Sequence, residues 1–127
     1  MTYLTPDHVL LLHQEAIERY GGSHGLRDRG LLESAIYRCQ ATFGGSDLYP
    51  DIWTKAAALL HGLLKNHPFV DGNKRTAYTS AARFMHLNGH GLRPTREEAK
   101  SFLLDVEANR LTVDQMAPWL QKHSRAV

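Results

Sequence analysis

No segment of this chain alternates apolar and polar residues over the length of a strand, whereas apolar residues recur at three- and four-residue spacing in most stretches between its glycines. That pattern confines the fold to packed helices. Gly21-Gly22, Gly44-Gly45, Gly89 and Gly91 punctuate the chain, and 127 residues suit one domain over 1–127. The expectation is an all-α fold, a compact bundle of about six helices.

The first helix is predicted to start with Thr5 as N-cap and Pro6 at its first position. It carries Val9, Leu12, His13, Ala16 and Tyr20 on one stripe and stops at Gly21-Gly22. A second helix begins near Asp28 and presents Leu31, Leu32, Ala35, Ile36 and Cys39. The segment Phe43 to Pro50 is too short and too rich in Gly and Pro for a helix, and reads as an exposed loop or small hairpin. Asp51 can cap a third helix, running to about Lys65, with Trp53, Ala57, Leu60 and Leu64 as its apolar stripe. A fourth, from about Asn73 to Leu87, holds Thr76, Ala77, Thr79, Ser80, Ala81 and Ala82; so many small residues predict a central helix closely packed by its neighbours. Asn88-Gly89 ends it. Two shorter helices follow, one from Arg96 to Ala108 and one capped by Thr112 with Gln115. Pro118 falls inside the last and is expected to kink it or to move its start.

Composition bounds the functional classes. Lys and Arg number 15 against 13 Asp and Glu, a formal charge of +2, which gives no electrostatic case for nucleic acid. The single cysteine, Cys39, allows no internal disulfide and reads as a small core residue. The segment Met1 to His8 lacks the basic-then-apolar pattern of a signal peptide, and no apolar run is long enough to span a bilayer. The expected location is cytoplasmic, with no membrane contact.

Chemistry concentrates in His67-Pro-Phe-Val-Asp-Gly-Asn-Lys-Arg75. One helix ends, a turn holds Pro68 and Gly72, and another helix begins at about Asn73. A helix N-terminus presents unpaired N–H groups and a partial positive charge, hence an anion site. Lys74 and Arg75 in that first turn are unfavourable by roughly 0.3–1 kcal/mol each unless an anion offsets them. Asp71 sets a carboxylate beside the site, and one carboxylate plus phosphate oxygens is a usual way to hold Mg²⁺. His67 brings an imidazole, which can take a proton from a hydroxyl. Phe69 is expected to anchor the loop in the core. A metal site of His61, His67 and Asp71 is an alternative that matches no tight ligand spacing. The set points to phosphoryl or nucleotidyl transfer.

This segment resembles the Fic motif, His-x-Phe-x-Asp/Glu-Gly-Asn-Gly-Arg-x-x-Arg, at His67, Phe69, Asp71, Gly72, Asn73 and Arg75, and departs from it at Lys74 and Tyr78. The ending Asn-Lys-Arg-Thr-Ala is similar to the death-on-curing (Doc) branch, toxins of type II toxin–antitoxin modules. Ile17-Glu-Arg-Tyr-Gly-Gly22, Asn88-Gly89 and the overall length extend the likeness across the chain. The resemblance implies that His67 is the general base, that Asp71 binds Mg²⁺, and that Gly72, Asn73 and Lys74 form the phosphate cradle. It implies Arg75 as a phosphate grip, Arg19 as a contact to nucleotide or target, and the segment 43–50 as a flap that positions the target. The cofactors implied are ATP and Mg²⁺. The reaction implied is a kinase transfer of the γ-phosphate to a threonine of elongation factor Tu, blocking translation. AMP transfer and a catalytically silent binding protein are the alternatives, and Gly72, often Ala in the Doc pattern, keeps AMP transfer open. The self-inhibitory pattern Ser/Thr-x-x-x-Glu-Gly/Asn is missing. The implied control is a separate antitoxin whose disordered C-terminal segment folds onto this protein, with no DNA binding by the toxin alone.

Overall fold

The computed structural model describes residues 1–127 as six helices and two short antiparallel strand pairs. Helix α1, Pro6–Tyr20, starts where the Thr5 hydroxyl accepts the His8 N–H and stops at Gly21, whose φ is +86°. Asp28 caps α2, Arg29–Arg38, by accepting the Leu31 N–H. Strands β1, Thr42–Phe43, and β2, Ser46–Asp47, form a hairpin around Gly44-Gly45. Capping boxes of Asp51 with Thr54, Thr95 with Glu98 and Thr112 with Gln115 open α3 (Ile52–Asn66), α5 (Arg96–Glu107) and α6 (Val113–Lys122). Helix α4 runs Asn73–Leu87. These bounds lie within a residue or two of those read from pattern and caps, and the all-α expectation holds.

The centre is α3. Every residue from Lys55 to Leu60 is buried, and the helix packs against α2, α4, α5 and α6. The small residues of α4 do pack closely, with Thr76, Ala77, Ser80 and Ala81 buried, but it is α3 that has neighbours on most sides. Gly62 permits one of these contacts: a Cβ there would stand 3.1 Å from the Ala35 Cα of α2. Each fully buried Leu, such as Leu59, Leu60 and Leu63, contributes about 1.5–3 kcal/mol relative to exposure. Phe69 is 2% exposed and belongs to this core, as the loop-anchor reading requires.

Three expectations need correction. Tyr20 does not share the buried stripe of α1; it is 58% exposed, and Ile17 is buried instead. Pro118 does not move the start of α6, one of the two outcomes expected of it, because the helix runs through it from the Thr112 cap. Pro118 and Asp114, whose carbonyl loses its i+4 partner, are both exposed, so water can replace that bond. Finally, the chain contains a second pair, β3 (His90–Leu92) with β4 (Ser124–Ala126), which joins segments more than 30 residues apart. No helix is long and apolar enough to cross a membrane.

Candidate active site

The loop 67–72 joins the end of α3 to the start of α4. His67 caps α3 in the left-handed conformation, φ 46° and ψ 58°, a region that costs a non-glycine residue about 1–2 kcal/mol. Gly72 caps α4 at φ 75°. Between them the chain is pinned from three directions. Arg27 donates from Nε to the His67 carbonyl at 2.7 Å and from Nη2 to the Asn66 carbonyl at 2.9 Å. The Arg27 and Asp28 N–H groups donate to the Pro68 carbonyl, and the Val70 N–H donates to that of Gly25. Buried His13 stacks on Phe69 with centroids 3.8 Å apart, and its Nε2 lies 2.8 Å from the Asp71 carbonyl. The segment between α1 and α2 therefore braces the loop from behind.

Asn73 organises the interior. Its Oδ1 accepts the Phe69 N–H at 3.0 Å and its Nδ2 donates to the Phe69 carbonyl at 2.9 Å. That pairing fixes the amide, because only the oxygen can accept from an N–H. The same Nδ2 lies 3.3 Å from Nδ1 of exposed His67. Asp71 is exposed yet organised: Oδ2 accepts the Ser23 N–H at 3.0 Å and Oδ1 the Gly72 N–H at 2.8 Å. Those two bonds, Ser23 first, hold its carboxyl below the usual carboxylate range. Its negative charge is paired with no cation. Gly22 makes this approach possible, since a Cβ there would stand 2.7 Å from Asp71 Oδ2.

His67, Asp71, Gly72, Asn73, Lys74 and Arg75 all line one cavity of about 900 Å³, together with Tyr78 and residues of α5. The guanidinium of Arg75 lies over the Tyr20 ring, 3.6 Å from its centroid. Lys74 turns toward α5, where its Nζ is 3.2 Å from a Glu107 carboxylate oxygen. Half-buried Tyr78 occupies the wall one turn further along α4, and burial raises its phenol pKa. Arg19 does not line the cavity; it reaches the site only through Tyr20, with its guanidinium 5.8 Å from that ring. The site of His61, His67 and Asp71 is not formed. His61 Nδ1 lies 2.9 Å from Arg38 Nη1 instead, and no three ligand-type side chains converge.

Reading the sequence missed Arg27, His13, Ser23 and the α5 wall. The Gly-Gly-Ser-His-Gly run at 21–25 was the available signal, since that many glycines allow close backbone approach.

Comparison with known proteins bears on this geometry. Residues 3–85, which contain the whole loop, match the Fic/DOC family. Over 70 residues the chain is 56% identical to Toxin Doc of Mycolicibacterium smegmatis, covering 55% of this chain and 54% of that protein. Over 89 residues it is 37% identical to Protein kinase doc of Escherichia phage P1, covering 70% of each. The match thus spans about half the length of the first relative and more of the second.

Proposed function

The chain belongs to the Fic/DOC family, and from that premise we propose that it is a Doc-type toxin, an ATP-dependent transferase that phosphorylates a protein hydroxyl. One observation carries the reading: the His67 imidazole, the Asp71 carboxylate, the N-terminus of α4 and Arg75 all line the same cavity. A base, an anion cradle and an ionised carboxylate are what phosphoryl transfer needs when no covalent intermediate forms.

In the proposed reaction His67 removes the proton of the target hydroxyl. The hydroxyl oxygen bonds to the γ-phosphorus, the bond from γ-phosphorus to the β–γ bridging oxygen breaks, and ADP leaves. The N–H groups that open α4 and the Arg75 guanidinium hold phosphate oxygens. Asp71 suits Mg²⁺, being exposed, ionised and without a cationic partner; the ion supplies charge neutralisation of the phosphates when bound. The Asn73 amide faces Nδ1 of His67 as a donor and thus favours the proton on Nε2. Acting as a base at Nε2 requires the other tautomer. At 3.3 Å the Asn73 contact is long, and the exposed ring can turn when substrates bind.

Two side chains support phosphorylation over AMP transfer. Lys74 stands where the motif has a second glycine and is drawn to Glu107, while Tyr78 offers a neutral ring where the motif has its last Arg. Arg75 is then the one arginine on the first two turns of α4, which favours a nucleotide that presents its γ-phosphate to His67. Gly72 has a reason unrelated to the choice of reaction: its φ is +75°, and a Cβ there would come 3.0 Å from Ile17 Cδ1. Elongation factor Tu is the proposed target and a cognate antitoxin the proposed regulator. Incubating the protein with elongation factor Tu and ATP labelled at the α or the γ phosphorus tests the reading. Label arriving from γ supports it; label arriving only from α, with a mass increase of AMP on the target, replaces it with AMP transfer.

A further inference from the structure

The cavity has a second wall that the motif does not include. Helix α5 presents Arg96, Ala99, Lys100, Leu103, Leu104 and Glu107 to it, the i, i+3, i+4 spacing of one helical face. Lys74 and Arg75 of α4 line the same cavity, so its lining holds four cations against two carboxylates, Asp71 and Glu107. Glu107 is already engaged by Lys74 at 3.2 Å, and Arg75 rests on Tyr20. Arg96 and Lys100 form no ion pair.

Helix α5 also sorts its charges. Glu97, Glu98 and Asp105 line a different groove, beside Phe102 and Trp119, while the two cations face the cavity. Left without a ligand, the arrangement is unfavourable twice over. Like charges at i and i+4 cost about 0.2–0.5 kcal/mol. A cation in the first turn of a helix opposes the dipole by roughly 0.3–1 kcal/mol. A multivalent anion bound between α4 and α5 would remove both costs.

We infer that Arg96 and Lys100 form a second anion subsite of this cavity, on its α5 side, and that it takes phosphate groups of the bound nucleotide. The inference rests on the proposed ATP-dependent activity and adds two binding residues to it. The subsite holds the phosphate chain from α5, while the loop and α4 hold it from the motif. Polyphosphate affinity therefore depends on α5 as well as on the loop.

Calorimetric titration of the intact protein with ATP, tripolyphosphate and adenosine tests this. The variant R96A/K100A should bind ATP and tripolyphosphate about ten-fold more weakly, leave any adenosine binding unchanged, and show a flatter salt dependence for ATP. Both positions are exposed, so far-UV circular dichroism should match the parent. R96K should keep ATP affinity within about two-fold, since it retains the charge. ATP and tripolyphosphate affinities unchanged in R96A/K100A, with the parent binding both, would overturn the subsite while leaving the transferase reading in place. A parent that binds neither overturns both. Parallel loss of adenosine overturns the phosphate assignment, because the residues would then shape the other end of the ligand.

Discussion

Replacing His67 by glycine and, separately, by alanine isolates the backbone strain at the proposed base. Both variants lose the imidazole, and with it the single long contact to Asn73. They differ only in a Cβ at a residue with φ 46° and ψ 58°. In that region a Cβ costs about 1–2 kcal/mol, whereas glycine's greater freedom in the unfolded chain costs roughly 0.5–1 kcal/mol. The difference leaves H67G more stable than H67A by about 0.5–1 kcal/mol. The Arg27 bonds to the Asn66 and His67 carbonyls are backbone-directed and survive in both. In a domain of this length the gap corresponds to a separation in Tm of roughly 2–4 °C. Urea denaturation with a common m value gives it directly. Transfer activity should fall by about 10²–10⁴ in both variants, while ATP affinity stays within about three-fold of the parent because neither change touches the phosphate cradle. Equal stabilities, or a less stable H67G, would refute the claim that the loop holds its proposed base in a strained conformation.

Other consequences follow from particular contacts. Asp71 has a depressed pKa in the folded chain, so its contribution to stability is complete above the ordinary carboxylate range and is lost as pH falls through its lowered value. D71N should thus flatten the acid limb of the stability profile below about pH 4, and an unchanged limb would show that the Ser23 and Gly72 bonds do not favour the ionised form. Lys55, 2% exposed, reaches from α3 to the Cys39 carbonyl at 3.4 Å and to Asp47 of β2 at 3.3 Å. K55M should keep Tm within a few degrees yet speed amide exchange at residues 42–47 by about ten-fold, with unaltered exchange ruling out an anchoring role for this lysine. G62A should destabilise by about 1–3 kcal/mol through the clash with Ala35, offset by up to about 1 kcal/mol of helix propensity. A thermal scan showing stabilisation would mean that α2 can move away freely.

What the sequence determined was everything encoded within a few neighbouring residues. Thr5 with Pro6, Asp51 with Thr54, and Thr112 with Gln115 set helix starts through hydrogen bonds spanning three residues, and glycines at 21 and 72 set stops and turns through their own backbone freedom. The nine residues from His67 to Arg75 likewise placed the proposed base, carboxylate and anion cradle in one string, because a loop feeding a helix N-terminus is a local construction. Tertiary structure decided the rest. It brought Ser23 to Asp71 and Arg27 to His67 across 48 and 40 residues. It paired β3 with β4, put α3 at the centre, and turned the cationic face of α5 toward the cavity. It also withheld Arg19 from that cavity and spent Lys74 on Glu107. Each of these outcomes depends on how whole helices pack, and packing is a property of the summed core rather than of any short segment.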